Sequence, residues 1–216
     1  MRITQIYMTP QDKSSEPLTR SKYQMLCNYI SLPISAWIAR KKLDLGKFNR
    51  IVFEEGTEED FAVVGNNALV VGLAKEFTSL EKLQSQPQVH SYFVRKYLEG
   101  IRRFDEHFGV ELADELGDFL SSYFADEYAY QKKLASRVVN GTTYGVYGKY
   151  TYDSYSLVVE LSSKKLGVIG KEIIYSAPPD PFVIRYDVHT VKIDTAGIRV
   201  LNTAGDETAF FPLQSQ

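Results

Sequence analysis

Carboxylate side chains are concentrated in the middle of the sequence, between Phe104 and Gln131. This span holds eight acidic residues and no lysine or arginine: Asp105, Glu106, Glu111, Asp114, Glu115, Asp118, Asp126 and Glu127. The chain as a whole has a formal charge of −2, so the residues outside the span carry +6, the difference between −2 and −8. Carboxylates can meet the cations of a partner protein or hold a divalent metal ion, so this span is the first candidate for a site.

Four of these acids have the spacing of one side of a helix: Glu111, Asp114, Glu115 and Asp118. At about 100° per residue they fall within an arc of about 100°. The apolar residues of the same stretch form another sector, centred about 130° away, and they are Leu112, Leu116, Phe119, Leu120 and Tyr123. The sequence therefore predicts that the four carboxylates point to solvent together.

This stripe of carboxylates is locally unfavourable. Glu111 with Glu115, and Asp114 with Asp118, form like-charged i,i+4 pairs that each cost about 0.2–0.5 kcal/mol. We interpret the stripe as a surface that docks on a basic protein, with Tyr123 as an aromatic anchor. Two alternatives stay open. The stripe could pair with the chain's own cations, such as Arg40, Lys41 and Lys42, or it could bind a divalent metal ion without EF-hand spacing.

Known catalytic patterns are absent from the sequence. It contains no GxSxG, GxGxxG or GxxxxGK[ST] motif, and its one cysteine and three separated histidines give no metal-ligand spacing. We therefore predict no catalytic residue, no metal site and no cofactor. The alternative is a small hydrolase-type enzyme with a site between the C-terminal strands and the helices, built on His189, Asp187 and Tyr186 or on Cys27 with a histidine.

Tyrosines alternate along one C-terminal segment. Tyr144, Val146, Gly148, Tyr150 and Tyr152 share one face of a strand by its period of two. Such a face could bind a flat ligand, which makes a ligand-binding module a further alternative. Rings that cover glycines on neighbouring strands are the structural interpretation of the same pattern.

The elements that must position these residues follow from periodicity and turn signals. Residues 1–9 and 48–53 are predicted strands, and Pro33 is predicted to separate two short helices. Gly65 and Asn67 lie between two apolar runs, which predicts a hairpin buried on both faces. A central helical pair is expected over about 88–136, with Gly109 between its two helices.

The C-terminal part is predicted to be an antiparallel β meander, because short strands alternate with turn signals. Its predicted strands are 142–152, 155–162, 168–176, 182–193, 197–203 and 207–211. The fold class is therefore α+β, with N-terminal strands and short helices before the helical pair. We expect a single domain over residues 1–216, with two lobes, 1–140 and 141–216, as the alternative division.

Composition restricts the function further. The near-neutral charge and a pI of about 6.0 disfavour nucleic-acid binding driven by bulk charge. The longest apolar run, Ala68–Ala74, is shorter than a membrane helix, and no signal peptide is seen at the start. We therefore expect a cytoplasmic, non-catalytic protein that binds a basic protein partner, most concretely an immunity or antitoxin-type protein that neutralises a toxin.

Overall fold

The fold of the chain is described by a computed structural model. It covers residues 1–10, 17–57, 60–65, 67–76, 83 and 85–213, without the side chains of residues 17–19. The chain divides into two compact units, Met1–Ala129 and Tyr130–Gln216. The described residues form four helices and eleven strands in three sheets, and the C-terminal strands pair antiparallel, so the predicted α+β class is confirmed. That all 216 residues form a single domain stays a prediction.

The first unit contains a mixed four-stranded sheet and three helices. In chain order they are β1 (Gln5–Pro10), α1 (Pro17–Lys41), β2 (Arg50–Glu55), β3 (Phe61–Val64), β4 (Ala68–Leu73), α2 (Gln86–Phe108) and α3 (Ala113–Tyr123). The strand order is β1-β2-β4-β3, in which β2 runs parallel to both β1 and β4 and β3 runs antiparallel to β4. A parallel pair needs a long crossover, and α1 supplies it between β1 and β2.

The prediction of two short helices around Pro33 is wrong, because α1 continues through this proline. Proline removes one backbone hydrogen bond from a helix interior. Here apolar side chains on both sides of it are fully buried, including Ile30, Ile34 and Ile38. Burial of this face holds the helix together across the missing bond, since helices in proteins depend mainly on tertiary packing.

The predicted hairpin of β3 and β4 is confirmed, and its two strands pair antiparallel from Phe61 with Val71 to Val64 with Ala68. All six residues of β4 are buried, as its apolar sequence predicts. The expected burial of β3 on both faces is wrong: Val63 is 61% and Val64 is 58% exposed. Strand β3 is at the edge of the sheet, so only one side of it has a neighbouring strand.

Helix α2 follows the prediction closely. Its apolar residues recur at steps of three and four and form a stripe against the core. Val89, Tyr92, Phe93, Tyr97, Ile101 and Phe104 are buried, and Phe108 at the end of the helix is half-buried. Gly109 ends the helix in the left-handed conformation, with φ +65°, and its N–H donates to the carbonyl of Asp105. Glycine adopts this conformation without the steric cost that a Cβ would impose.

The second predicted helix is shorter than expected. It ends at Tyr123 rather than near Ser136, and Tyr130–Val139 form a strand, β5. Asn140 and Gly141, interpreted as the end of a helix, have φ values of +50° and +79° and join β5 to the next strand. Asn-Gly with positive φ at both residues is the preferred two-residue hairpin turn. The turn therefore gives the sequence signal for β5.

The second unit contains seven strands and one helix within its described residues, which end at Leu213. In chain order they are β5 (Tyr130–Val139), β6 (Thr142–Tyr150), β7 (Tyr155–Ser163), β8 (Gly167–Ala177), α4 (Pro181–Asp187), β9 (Thr190–Ile193), β10 (Gly197–Leu201) and β11 (Glu207–Pro212). The strands form two antiparallel sheets, β5-β6-β7-β8 and β11-β10-β9. The predicted C-terminal meander is confirmed. Its two sheets share one apolar core cluster.

One predicted strand of the meander, 182–193, is half helix. Pro181–Asp187 form α4, and only Thr190–Ile193 are extended. The side chain of Asp180 accepts a hydrogen bond from the N–H of Phe182 at 2.8 Å, and proline follows at the first helical position. Aspartate at the N-cap followed by proline is a helix start signal, so the local chemistry overrides the apolar, strand-like composition.

The tyrosine-rich strand is mainly part of the core. Tyr144 is 4% and Tyr155 is 2% exposed, and Tyr150 packs against the same apolar cluster. A Cβ added at Gly148 would lie 2.7 Å from the hydroxyl oxygen of Tyr155, so this ring occupies the space that the glycine leaves. The structural interpretation of the glycines and tyrosines is therefore correct at this position.

A test of the contact between α2 and the sheet uses two glycines. A Cβ added at Gly100 would lie 2.5 Å from Cδ1 of Phe53 in β2, whereas at Gly117 in α3 the nearest atom would be 3.9 Å away. We expect Gly100→Ala to lower the free energy of unfolding by about 1–3 kcal/mol, because it overpacks the contact. Gly117→Ala should raise it by about 0.5–1 kcal/mol, because alanine favours helix. Urea unfolding measures both, and a Gly100→Ala protein as stable as the parent would contradict the contact.

Candidate functional site

The predicted acidic residues lie at and around α3. Asp114 and Glu115 are in its first turn, Asp118 is one turn later, and Glu111 precedes the helix. All four side chains are exposed, while Leu112, Leu116 and Leu120 are buried. We call these four carboxylates the acidic face. Placing Asp114 and Glu115 at the helix N-terminus is favourable, since the dipole is positive there, but Asp118 lies beyond that turn.

Another acid of the same span, Asp105, anchors α3. Its Oδ2 accepts hydrogen bonds from the backbone N–H groups of Leu112 and Ala113, both at 2.8 Å. These groups are at the start of α3, where a helix leaves N–H groups without an intrahelical partner. Burial raises the pKa of Asp105, although the two N–H donors oppose this shift. A side chain of α2 thus fixes where α3 begins.

The acidic face is partly neutralised by the chain itself. Lys41, at the end of α1, forms an ion pair with Glu115. The same lysine lies 5.1 Å from the ring centre of Trp37, and Trp37 stacks on Phe119 of α3 with ring centres 6.1 Å apart. For Glu111, Asp114 and Asp118, the structure records no ion pair with any residue that it describes.

Tyr123 lies at the C-terminal end of α3 and is 37% exposed. Its ring contacts Phe119 and Phe124, with ring centres 5.4 and 4.9 Å away. These contacts hold the ring beside the helix while its remaining surface faces solvent. The acidic face and Tyr123 are thus presented by one anchored helix.

Sequence reasoning missed a buried carboxylate, Glu55, at the carboxyl end of β2. Its side chain is 0% exposed. The Tyr23 hydroxyl donates to Oε2 at 2.8 Å, the Tyr92 hydroxyl lies 2.7 and 2.6 Å from Oε1 and Oε2, and the Glu76 N–H donates to Oε1 at 2.6 Å. Burial raises the pKa of both tyrosines, and the carboxylate of Glu55 adds to the shift. Both phenols therefore remain protonated donors.

A buried lysine lies next to this carboxylate cluster. Lys96 on α2 is 0% exposed, and its Nζ donates to the Ala74 carbonyl at 3.1 Å, to Glu76 at 3.1 Å and to Glu99 at 3.0 Å. Arg95 also pairs with Glu76 at 2.6 Å and lowers the pKa of Glu76 to about 2. The sequence does hold a signal for this site, because Lys96 interrupts the apolar stripe of α2.

Glu55 and Lys96 are joined through Glu76, in the segment after β4: Glu55 accepts from its N–H, and Lys96 donates to its carboxylate. The edge where parallel strands such as β2 and β4 end is the usual location of ligand sites in α/β proteins. Here, however, the oxygens of Glu55 and the ammonium group of Lys96 all have protein partners. Buried charges need such partners, so the network holds the segment after β4 against α2.

His90 on α2 occupies an aromatic site. Its ring centre lies 4.8 Å from that of Phe124 and 4.4 Å from that of Tyr128, and its Nδ1 is 3.2 Å from the Tyr29 hydroxyl. Burial lowers the pKa of His90 from its ordinary 6.5 to about 4. The imidazole is therefore neutral at physiological pH.

Among the described residues, the structure records no hydrogen bond between Cys27 and a histidine or between His189 and Asp187. Cys27 is buried, burial raises the pKa of its thiol to about 12, and its recorded hydrogen bonds are to Met8, Gln24 and Ser31 rather than to a histidine. In the second unit, the Tyr175 hydroxyl donates to Asp187. The His189 and Tyr186 side chains are exposed. A thiol held in the neutral form is a poor nucleophile.

Among the residues that the structure describes, no group of three or more histidine, cysteine, aspartate or glutamate side chains is arranged to hold a metal ion. No helix within the same residues combines the length and the apolar character needed to cross a membrane.

Comparison with known proteins finds no matching family model, no matching curated protein and no matching solved structure.

The buried carboxylate network is tested by Glu55→Gln. The amide NH₂ of glutamine would face the hydroxyl and N–H donors that now bind an oxygen. We expect a loss of about 1–3 kcal/mol in the free energy of unfolding, because buried donors lose their acceptor. Glu172→Gln, at an exposed strand position in the second unit, is the matched control and should stay within about 0.5 kcal/mol. Chemical denaturation measures both, and equal stabilities would contradict the role of Glu55.

The His90 environment predicts a pH dependence. In the unfolded chain this imidazole takes up a proton near 6.5, whereas in the folded protein it does so only near pH 4. The contribution of neutral His90 to stability is therefore complete above its unfolded pKa of 6.5, and it is lost as the pH falls from there to about 4. An NMR titration of the His90 ring should give a midpoint of about 4. Between roughly pH 7.5 and 4.5, the free energy of unfolding should fall more in the parent than in His90→Gln. An NMR midpoint near the ordinary histidine pKa of 6.5 would show that His90 is not buried in this way.

Proposed function

We propose that this chain is a non-catalytic protein-binding protein whose acidic face docks on a basic protein. Its most concrete form is an immunity or antitoxin-type protein that neutralises a toxin in the cytoplasm. The observation that carries the proposal is the exposure of Glu111, Asp114 and Asp118 on one side of an anchored helix, without an ion pair among the described residues. A toxin that cuts nucleic acid has a cationic cleft, which would attract such a surface.

The electrostatic cost of the acidic face supports this proposal. Asp114 and Asp118 are one turn apart on α3 and repel each other by about 0.2–0.5 kcal/mol. A cationic partner would turn this repulsion into attraction, and complementary potentials speed encounter and fix the orientation of docking. The ion pair of Lys41 with Glu115 makes Glu115 the least available of the four carboxylates.

The rigidity of α3 also supports docking. The helix is held by buried Leu116 and Leu120, by the Asp105 carboxylate at its start and by the stacking of Phe119 on Trp37. A surface that is already ordered loses little conformational entropy on binding. Tyr123 lies at the end of this helix with part of its ring exposed, and tyrosine is frequent among the residues that contribute most to protein interfaces.

The experiment compares two double charge reversals with equal change in net charge. Asp114→Lys with Asp118→Lys alters the acidic face. Glu172→Lys with Glu207→Lys alters exposed strand positions of the second unit and is the matched control. Each protein is used to isolate partners from cells that produce it. We expect one basic partner to be bound by the parent and by the control but not by the altered face.

Kinetics with the isolated partner test the electrostatic role directly. At roughly 0.01 M salt, where the Debye length is about 30 Å, we expect association with the altered face to be at least about tenfold slower than with the parent. The difference should shrink at roughly 0.15 M salt, where the Debye length is about 8 Å. Circular dichroism should be unchanged in both variants. Equal association rates for all three proteins would reject the proposal.

A further inference from the structure

A groove of about 560 Å³ runs between α2 and α3. Its apolar lining includes Val94 and Leu98 of α2, Leu120 of α3 and Phe124 just after it. The volume is within the range of about 300–1,000 Å³ that small-molecule sites occupy. It belongs wholly to the first unit, and neither the acidic face nor Glu55 contributes a side chain to it.

The polar groups of this groove are hydrogen-bond donors. They are the guanidinium groups of Arg95 and Arg102, the hydroxyls of Ser91, Ser121 and Tyr128 and the ring of His90, and no carboxylate is among the side chains that line the groove. Hydroxyls can also accept, but guanidinium groups can only donate. The groove therefore has the opposite electrostatic character to the acidic face on the same helix.

The Tyr29 hydroxyl fixes the tautomer of His90. Tyr29 is 0% exposed, and its recorded hydrogen bond is to Nδ1 of His90. This bond can run in either direction, but only with the phenol as donor does the buried O–H have an acceptor, which is worth about 1–3 kcal/mol. We therefore assign the phenol as the donor and Nδ1 as the acceptor. The single proton of the neutral imidazole is then on Nε2. His90 thus adds an N–H donor, held in place by the rings of Phe124 and Tyr128.

Arg102 is the cation of the groove that a ligand can engage. Arg95 is already bound to Glu76 at 2.6 Å, and its guanidinium lies 5.6 Å from the ring centre of Tyr92. Arg102 is exposed, and among the described residues the structure records no ion pair for it. A guanidinium group binds a carboxylate or a phosphate through two parallel hydrogen bonds.

We propose that the groove between α2 and α3 binds a small organic anion with a flat apolar body. The carboxylate or phosphate of this ligand pairs with Arg102, its body lies on Val94 and Leu98, and a further acceptor on it takes the hydrogen bond of His90. This binding is independent of the docking proposed for the acidic face, because it uses other side chains and the opposite charge.

The test uses defined probes and NMR spectra of the full chain. The probes are 2-naphthoate, 2-naphthyl phosphate, the neutral 2-naphthylmethanol and inorganic phosphate alone. We expect saturable shifts of the His90 and Ser121 signals with one or both aromatic anions, and affinities at least about tenfold weaker for the neutral probe, which lacks the charge-assisted pair. The stronger of the two anions identifies a carboxylate or a phosphate as the natural group.

Variants separate the groove from adsorption elsewhere. Arg102→Ala should lower the affinity for the aromatic anions by about tenfold or more, since it removes the cation. Arg40→Ala, which removes an exposed arginine from the end of α1, should leave the affinity unchanged. Ser121→Phe should fill the groove and abolish the shifts. The proposal would be overturned if the shifts did not saturate or if Arg102→Ala left the affinity unchanged. It would also be overturned if the neutral probe or inorganic phosphate bound as tightly as the aromatic anions.

Discussion

The arrangement of the helical part depends on the two hydrogen bonds that the Asp105 carboxylate accepts from Leu112 and Ala113. They join the last turn of α2 to the first turn of α3, immediately around the bend at Gly109. Because this junction fixes where α3 begins, it also fixes the positions of the exposed carboxylates of α3 and of the residues of α3 that line the groove. The most acidic part of the sequence is thus divided between a structural anion, Asp105, and a solvent-facing stripe.

A second constraint is the burial of charge beside the sheet. Glu55 and Lys96 are both excluded from solvent, and each is surrounded by groups of complementary polarity. Burying a charge is costly unless such groups are fixed in place. The tyrosines that donate hydrogen bonds to Glu55 come from α1 and α2, so these bonds connect both helices to the carboxyl end of β2. This end of the unit is specified by polar contacts as well as by apolar packing.

Sequence patterns predicted the elements whose signals are local. The apolar period of α2 and the left-handed glycine after it are visible in a few turns of sequence. Strand β5 was missed because residues 131–135 show no single apolar side. The strand is held by backbone pairing with β6. The basic run of Arg40, Lys41 and Lys42 indicates a source of cations for the acidic stripe, and one of them, Lys41, pairs with Glu115. The site of Glu55 depends on Tyr23 and Tyr92, which are distant in sequence and carry no motif.

Both proposed sites, the acidic face and the donor-lined groove, belong to Met1–Ala129, while the tyrosine-rich core belongs to Tyr130–Gln216. Under the two proposals, the two parts of the chain would be under different selective demands. Substitutions in the C-terminal part that preserve its volume and apolar character would leave recognition by the proposed sites untouched. In the N-terminal part, a single exchange of charge on the exposed side of α3 would alter what the molecule attracts without altering how it folds.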